Sequence, residues 1–222
     1  MENASGALVL VGLAASIGLL HTIIGVDHTL PFIMLARAQK WSLSRLLSIT
    51  FLCGTGHVLS SVLLGLFGIS MGVAIDRLEI IEARRGQMAA WLLIGFGLAY
   101  AIWSLHRERK KQARLQLDLD LPSQRQRRRL ATVWGLFIVA VLGPCEPLIP
   151  ILMAPAFDQM WTTVVGVILV FGLVTVGTMC LLVTIGYFGM KLPVFSFLER
   201  HVHTGSGLVI AGSGLAIMLL GI

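Results

Sequence analysis

The sequence predicts an all-α membrane protein of six transmembrane helices, arranged as a 3+3 inverted repeat in which the first helix of each half is broken. Three observations predict this fold class. The mean hydropathy of the 222-residue chain is +0.88 and only 13% of its residues are charged, which is too apolar for an ordinary soluble domain. Six apolar stretches approach the roughly 20 residues that a spanning helix needs. The first and fourth of these stretches contain glycine and proline, which interrupt helices.

The predicted spans are separated by one long polar segment and by short turns. In the first span, Gly25 and Pro31 predict a kink, because glycine tolerates unusual backbone conformations and proline lacks an amide hydrogen. In the fourth span, the Gly143-Pro144 pair and two later prolines exclude a straight helix. The six spans cover residues 6–35, 46–74, 88–105, 131–157, 161–190 and 204–222.

The two halves of the chain share a weak internal repeat, in which an acid, a proline and a methionine coincide at the two breaks. Each half contains three spans, which is an odd number, so the second half must be inverted relative to the first. The predicted domains are residues 1–105 and 131–222, the two three-helix repeats, and a basic linker at 106–130. The alignment pairs residues 26–34 with 145–153, Gly56 with Gly177, residues 67–68 with 188–189, and residues 95–99 with 212–216.

Most of the net charge of +6 lies in the linker, which holds nine of the 17 lysines and arginines. Basic loops face the cytoplasm, so we expect a multi-pass protein of the plasma (inner) membrane with the linker cytoplasmic and both termini outside. Anionic lipid explains this charge better than nucleic acid does, because membrane spans flank the linker; a regulatory partner site is the alternative. On this topology the charged residues at 76–85, including Glu82 and Arg85, lie outside the bilayer.

Ionisable residues inside the spans are the candidate site. The first span carries an aspartate between histidines, and an ionised aspartate at the centre of a span costs about 2.5–3.5 kcal/mol. Such residues persist when they face a cavity or a partner, and a kink at Gly25 brings them around one point. The second span adds a histidine, and the fourth adds an acid beside a cysteine. The predicted metal ligands are His21, Asp27, His28, His57, Cys145 and Glu146.

The mixture of imidazole and carboxylate ligands indicates which ion the site suits. Nickel, cobalt and zinc accept this set, whereas magnesium and calcium prefer oxygen ligands alone. The ion is predicted to be a transported substrate, and no tightly bound cofactor is expected. The alternative for Asp27 and His28 is solvation or charge pairing near the cytoplasmic end of the span, where Arg37 and Lys40 follow.

The motif His21-x5-Asp27-His28 resembles the His-x4-Asp-His element of nickel/cobalt permeases and of their six-helix relatives, which include urease-accessory-type and sulfite-exporter-like membrane proteins. Its spacing is one residue longer. The Gly56-His57 pair in the second span resembles the second histidine element of the same permeases. The resemblance implies a secondary transporter of a transition-metal cation, which is not an enzyme. Since the sequence has no nucleotide-binding motif, ion gradients or a partner protein are expected to supply the energy.

The segment that starts at Pro144-Cys145 resembles the Pro-Cys-x-x-Pro elements of thiol-disulfide carriers of the cytochrome c biogenesis type. Those proteins carry one such cysteine in each half, whereas Val26 stands at the position equivalent to Cys145, and Cys53 substitutes only if it lies close. A thiol-disulfide electron carrier is therefore one alternative function, and an exporter of a small sulfur-containing anion is another. The expected partners are the lipid bilayer, a divalent metal ion, a second copy of the chain and a metal-delivery protein, but no nucleic acid.

Overall fold

The computed structural model describes residues 4–113, 122–143, 145, 147–189 and 202–220. Across these ranges the protein is helical and contains no strand, which confirms the all-α class. A short 3-10 turn at Val26–His28 joins the first two helices. The α-helices are α1 (Ala4–Ile24), α2 (Leu30–Ala38), α3 (Leu43–Ser70), α4 (Ile75–Ala113), α5 (Pro122–Leu142), α6 (Leu148–Phe157), α7 (Trp161–Gly189) and α8 (Val202–Leu220).

Four of the helices, α1, α3, α4 and α7, are long and apolar enough to cross a membrane, whereas the apolar parts of α5, α6 and α8 are shorter. The outer faces of the bundle carry large exposed apolar side chains, such as Leu8 at 74%, Leu173 at 73% and Leu219 at 75% exposure. Soluble proteins rarely expose apolar surface so continuously. The length and surface of the helices are therefore compatible with a membrane protein.

The helices pack as neighbours from opposite halves of the chain. α4 packs along α8, α1 packs along α7, and α3 contacts both α5 and α7. The α4–α8 crossing is very close: a Cβ on Gly97 would lie 2.5 Å from the carbonyl oxygen of Gly207, and a Cβ on Gly207 would lie 2.6 Å from that of Gly97. Small residues allow helix backbones to approach in this way, so glycine is needed at both positions.

Both helix breaks occur where the sequence predicted them. Gly25 has an extended backbone with φ −68° and ψ 99°, and α2 carries Pro31 in its first turn, where the missing amide hydrogen costs no helical hydrogen bond. In the second half, α5 ends at Leu142 and α6 begins at Leu148. The two interruptions place irregular backbone inside the bundle.

The third span differs from its prediction. α4 begins at Ile75 and not at 88, and it continues to Ala113, within the expected linker. Glu82, which the topology places outside the bilayer, has a side chain that is completely buried within the protein. Arg85 lies one turn later and donates a hydrogen bond to the Glu82 carboxylate. Because opposite charges three residues apart meet on one helix face, α4 accommodates both charges without ending.

Candidate metal centre

Three side chains converge where the two helix breaks meet the middle of α3. His21 comes from the last turn of α1, His57 from α3, and Cys145 from the break between α5 and α6, and their ligand atoms all lie within 4.8 Å of one another. The Sγ atom of Cys145 is 3.2 Å from Nε2 of His57 and 3.7 Å from Nε2 of His21. The fold therefore brings together three residues that the sequence predicted as ligands and that stand far apart in the chain.

His28 joins this group through His57. The Nε2 atoms of the two imidazoles lie 3.2 Å apart. The His28 ring stands edge-on to the rings of His21 and His57, with centroid distances of 4.8 and 4.9 Å. His28 is 4% exposed and His57 is 2% exposed. The His28 ring therefore contacts both other imidazoles, but among the described residues the ligand atoms that all converge are those of His21, His57 and Cys145.

Hydrogen bonds at the far side of two rings orient their lone pairs. Nδ1 of His57 lies 2.9 Å from the carbonyl oxygen of Ala140, and Nδ1 of His28 lies 3.0 Å from Oδ1 of Asp27 and 3.2 Å from the carbonyl oxygen of Gly25. Because all three partners are acceptors, we assign the hydrogen of each neutral ring to Nδ1. Both Nε2 lone pairs of neutral rings would then face a bound ion, as in metal sites whose histidines donate to a carboxylate or a backbone carbonyl. Without an ion, the 3.2 Å contact between the two Nε2 atoms requires a hydrogen on one of them.

The separations between the converging atoms suit a single metal ion. A tetrahedral ion lies about 2.0–2.1 Å from nitrogen and about 2.3 Å from sulfur, which keeps two nitrogens roughly 3.3 Å apart and a nitrogen and a sulfur roughly 3.5 Å apart. The observed nitrogen–nitrogen separation is 3.2 Å, and the two nitrogen–sulfur separations are 3.2 and 3.7 Å. Nitrogen and sulfur donors suit nickel, cobalt, zinc and copper better than magnesium or calcium.

The structure does not place either predicted acidic ligand, Asp27 or Glu146, among the converging atoms of the described residues. Oδ1 of Asp27 faces Nδ1 of His28, and among the described residues Asp27 is not part of the group whose ligand atoms converge. Its position suits a residue that orients His28. Glu146, the predicted counterpart of Asp27 in the second half, lies outside the described residues.

Gly25 is required by the site as well as by the break. A Cβ atom at this position would lie 2.1 Å from Nδ1 of His28 and 3.1 Å from Oδ1 of Asp27. A side chain at residue 25 cannot coexist with the observed imidazole position, so the glycine allows the ring to lie against the backbone.

The sequence did not identify two buried charges beside the cluster, Glu82 and Arg85. Oε2 of Glu82 accepts a hydrogen bond from the backbone amide of Cys145 at 3.2 Å. Arg85 donates to Glu82 and, at 2.7 Å, to the carbonyl oxygen of Val141. Their neighbourhood of exposed charges suggested a loop outside the bilayer. One pattern in the sequence could have indicated the pair: opposite charges three residues apart, which meet on one helix face, precede a long apolar segment.

The three cysteines are free thiols. Cys53 packs in a core cluster with residues of α2 and α8, whereas Cys145 packs in a separate cluster with residues of α1, α6 and α7. Cys145 is therefore the cysteine that belongs to the histidine group, and Cys53 belongs to the neighbouring apolar core.

No protein-family model, curated protein or solved structure matches the chain. Its function is therefore inferred from the chemistry of the residues and from the geometry of the cluster.

Proposed function

We propose that the protein is an integral membrane secondary transporter of a divalent transition-metal cation, with nickel or cobalt as its cargo. The observation that carries the proposal is the convergence of His21, His57 and Cys145, whose ligand atoms all lie within 4.8 Å of one another at the meeting point of two helix breaks. Ionisable groups within apolar spans mark substrate pathways, and broken helices form the binding sites of many secondary transporters. The resemblance of the first-span motif to nickel/cobalt permeases narrows the cargo within the metals that these donors accept.

The proposed architecture is six spans in a 3+3 inverted repeat, with α1–α2, α3 and α4 in one half and α5–α6, α7 and α8 in the other. The backbone at the two breaks supports it. The amide of Thr29 donates to the carbonyl oxygen of Val26, and the amide of Leu148 donates to that of Cys145. In the alignment of the two halves Thr29 corresponds to Leu148 and Val26 corresponds to Cys145, so the same turn recurs at equivalent positions.

The ends of α2 and α6 support the same arrangement. Lys40 and Gln159, which are equivalent residues, both have left-handed backbones with φ of 53° and 56°. In each case the amide of the following residue returns to a carbonyl oxygen five residues earlier, as in a Schellman ending. Because non-glycine residues rarely adopt positive φ, this coincidence favours a repeat over chance similarity.

Glycine contacts between the halves give a third line of support. A Cβ on Gly65 of α3 would lie 2.6 Å from Leu152 of α6, and a Cβ on Gly186 of α7 would lie 2.3 Å from Ile33 of α2. Gly65 corresponds to Gly186 and Leu152 corresponds to Ile33, so the two contacts exchange under the repeat. Reciprocal contacts of this kind are expected from a two-fold axis in the membrane plane.

The contacts between α4 and α8 also exchange under the repeat. Gly97 lies against Gly207, whereas Gly214, the equivalent of Gly97, lies against Ala90, the equivalent of Gly207. The axis of the repeat would therefore pass between these two helices. Rocking of one half against the other about the metal cluster then provides alternating access.

Metal binding and flux in proteoliposomes test the proposal. The purified protein is expected to bind nickel or cobalt at near one ion per chain and to carry it across the bilayer. His57→Ala removes the imidazole at the centre of the cluster, so we expect at least about a tenfold loss of affinity and a loss of flux. His106→Ala is the matched control, because His106 is exposed near the far end of α4. Unchanged binding and flux in His57→Ala would exclude this metal site.

A thiol-disulfide carrier needs two cysteines that cycle between free and bonded states. Cys53 and Cys145 are free and pack in different core clusters, which favours transport. Thiol trapping distinguishes the two functions: a Cys53–Cys145 bond formed under oxidising conditions, together with loss of electron transfer in Cys145→Ser, would favour the carrier. Export of a small sulfur-containing anion is disfavoured because Asp27 adds a carboxylate beside the histidines.

A further inference from the structure

We propose that Glu82 and Arg85 are positioning residues of the metal site, which hold the second helix break so that the Cys145 thiol faces the histidines. The inference rests on the proposed function, since it assigns these two residues a role in the same site. Both belong to α4, which supplies no residue of the cluster itself. They contact the backbone of the break and so affect the position of the Cys145 side chain.

Glu82 holds the ligand residue directly. Its side chain is completely buried, and its Oε2 atom accepts a hydrogen bond from the Cys145 amide at 3.2 Å. A helix break frees backbone amides that need partners inside an apolar bundle. The carboxylate supplies such a partner to the residue whose thiol points at the cluster.

Arg85 holds the other flank of the break. Its Nη2 atom donates to the carbonyl oxygen of Val141 at 2.7 Å and to the hydroxyl oxygen of Ser60 at 2.8 Å. The Ser60 hydroxyl also lies 2.9 Å from the Val141 carbonyl oxygen and 2.8 Å from that of His57. The guanidinium therefore joins the end of α5 to the turn of α3 that carries His57.

Glu82 and Arg85 together form a chain of hydrogen bonds that links Cys145 to His57. The hydrogen bonds run from the Cys145 amide through Glu82 and Arg85 to Val141 and Ser60, and from there to His57. These hydrogen bonds fix the break on both sides relative to α3. A buried ion pair seldom stabilises a protein more than apolar packing does. We therefore assign the Glu82–Arg85 pair a geometric role, which is to set the separation between Cys145 and His57.

Arg85 also lines a groove between α3, α4 and α5. The groove has a volume of about 750 Å³, and its lining is apolar except for Arg85 and the serines Ser60 and Ser70. Weakening the pair should loosen the wall between this groove and Cys145, which is itself fully buried. Access to the thiol is therefore a readout that requires no metal.

The first experiment uses cobalt as the probe, because a cobalt–thiolate bond gives a charge-transfer absorption band that histidines do not give. In Glu82→Ala, which removes the acceptor of the Cys145 amide, and in Arg85→Lys we expect the band to fall at least about fivefold and cobalt affinity to fall about tenfold, as for other residues that orient ligands. In a Cys145→Ser background the same changes should cause no further loss, because residues that act through one ligand are not additive. Glu79→Ala and Arg84→Lys are matched controls, since both side chains are exposed on the same helix.

The second experiment measures alkylation of Cys145 by N-ethylmaleimide without metal, in a Cys53→Ala, Cys180→Ala background where it is the remaining thiol. Glu82→Ala and Arg85→Lys should accelerate the reaction at least about tenfold, and Ser60→Ala, a milder change, should have an intermediate effect. If the wild-type protein binds no cobalt, the proposed function fails, whereas the alkylation rates still report whether the pair holds the break. Unchanged alkylation, or an equal loss of affinity with and without Cys145, would overturn the positioning role.

Discussion

Nδ1 of His57 donates a hydrogen bond to the carbonyl oxygen of Ala140, 2.9 Å away. Ala140 lies in the last turn of α5, where its carbonyl oxygen accepts a longer hydrogen bond from the Gly143 amide, at 3.2 Å, and has room for the imidazole. The break after Leu142 therefore supplies the acceptor that fixes the orientation of a ligand on another helix. The helix break therefore also sets the direction of the His57 lone pair, which links the end of α5 to the group of His21, His57 and Cys145.

Asp27 is predicted to orient His28 and not to bind the metal. Asp27→Asn retains an oxygen that accepts from Nδ1 of His28, whereas Asp27→Ala removes it. We therefore expect Asp27→Ala to lower nickel affinity about 10- to 100-fold and Asp27→Asn to lower it by much less. Calorimetric titration of the purified protein measures both affinities. An equal, large loss in both variants would instead make the carboxylate a direct ligand.

Gly25→Ala is predicted to displace the His28 ring, because the added Cβ would lie 2.1 Å from Nδ1 of that ring. The ring cannot stay where it is, so the hydrogen bonds that orient it are lost and metal affinity should fall about 10- to 100-fold. Gly12→Ala, within the preceding helix α1, is the control, since a Cβ at that position meets nothing within 4 Å. Metal affinity is measured for both. The same affinity in Gly25→Ala as in wild type would mean that the ring orientation is unimportant.

Sequence reasoning predicted the parts of the fold that depend on local backbone chemistry. The all-α class follows from apolar length, and the break at Gly25 follows from glycine and proline, whose effects need no distant partner. The breaks also led to six predicted ligands, of which the structure brings together His21, His57 and Cys145. Their use as ligands remains a prediction that metal binding must test.

The features that sequence reasoning missed depend on contacts between distant residues. Glu82 is buried because the amide of Cys145, 63 positions away, donates to it. Similarly, the tautomer of His57 depends on Ala140, 83 positions away. A charged residue near the end of a span looks the same in sequence whether it faces water or a backbone amide. Only the fold distinguishes the two cases.

Gly97→Ala is predicted to destabilise the bundle much more than Gly95→Ala. A Cβ at residue 97 would lie 2.4 Å from the backbone nitrogen of Ala211, which cannot move aside, whereas a Cβ at residue 95 meets nothing within 4 Å. Overpacking of this kind typically costs about 1–3 kcal/mol, and separation of α4 from α8 should place the cost at the upper end. Thermal unfolding in detergent measures the difference. Equal midpoints for the two variants would contradict the close crossing.

Cys145→Ser is predicted to change the preference of the site between metals as well as its affinity. Thiolate sulfur favours soft ions, and a serine hydroxyl does not replace it, so affinity for cadmium should fall by a larger factor than affinity for nickel. Cys180→Ser is the control, because Cys180 lies on α7 outside the group of converging ligand atoms. Competition titrations of the two metals against each variant measure the ratio. If cadmium and nickel lose affinity by the same factor, the histidines carry the binding and the cysteine only packs beside them.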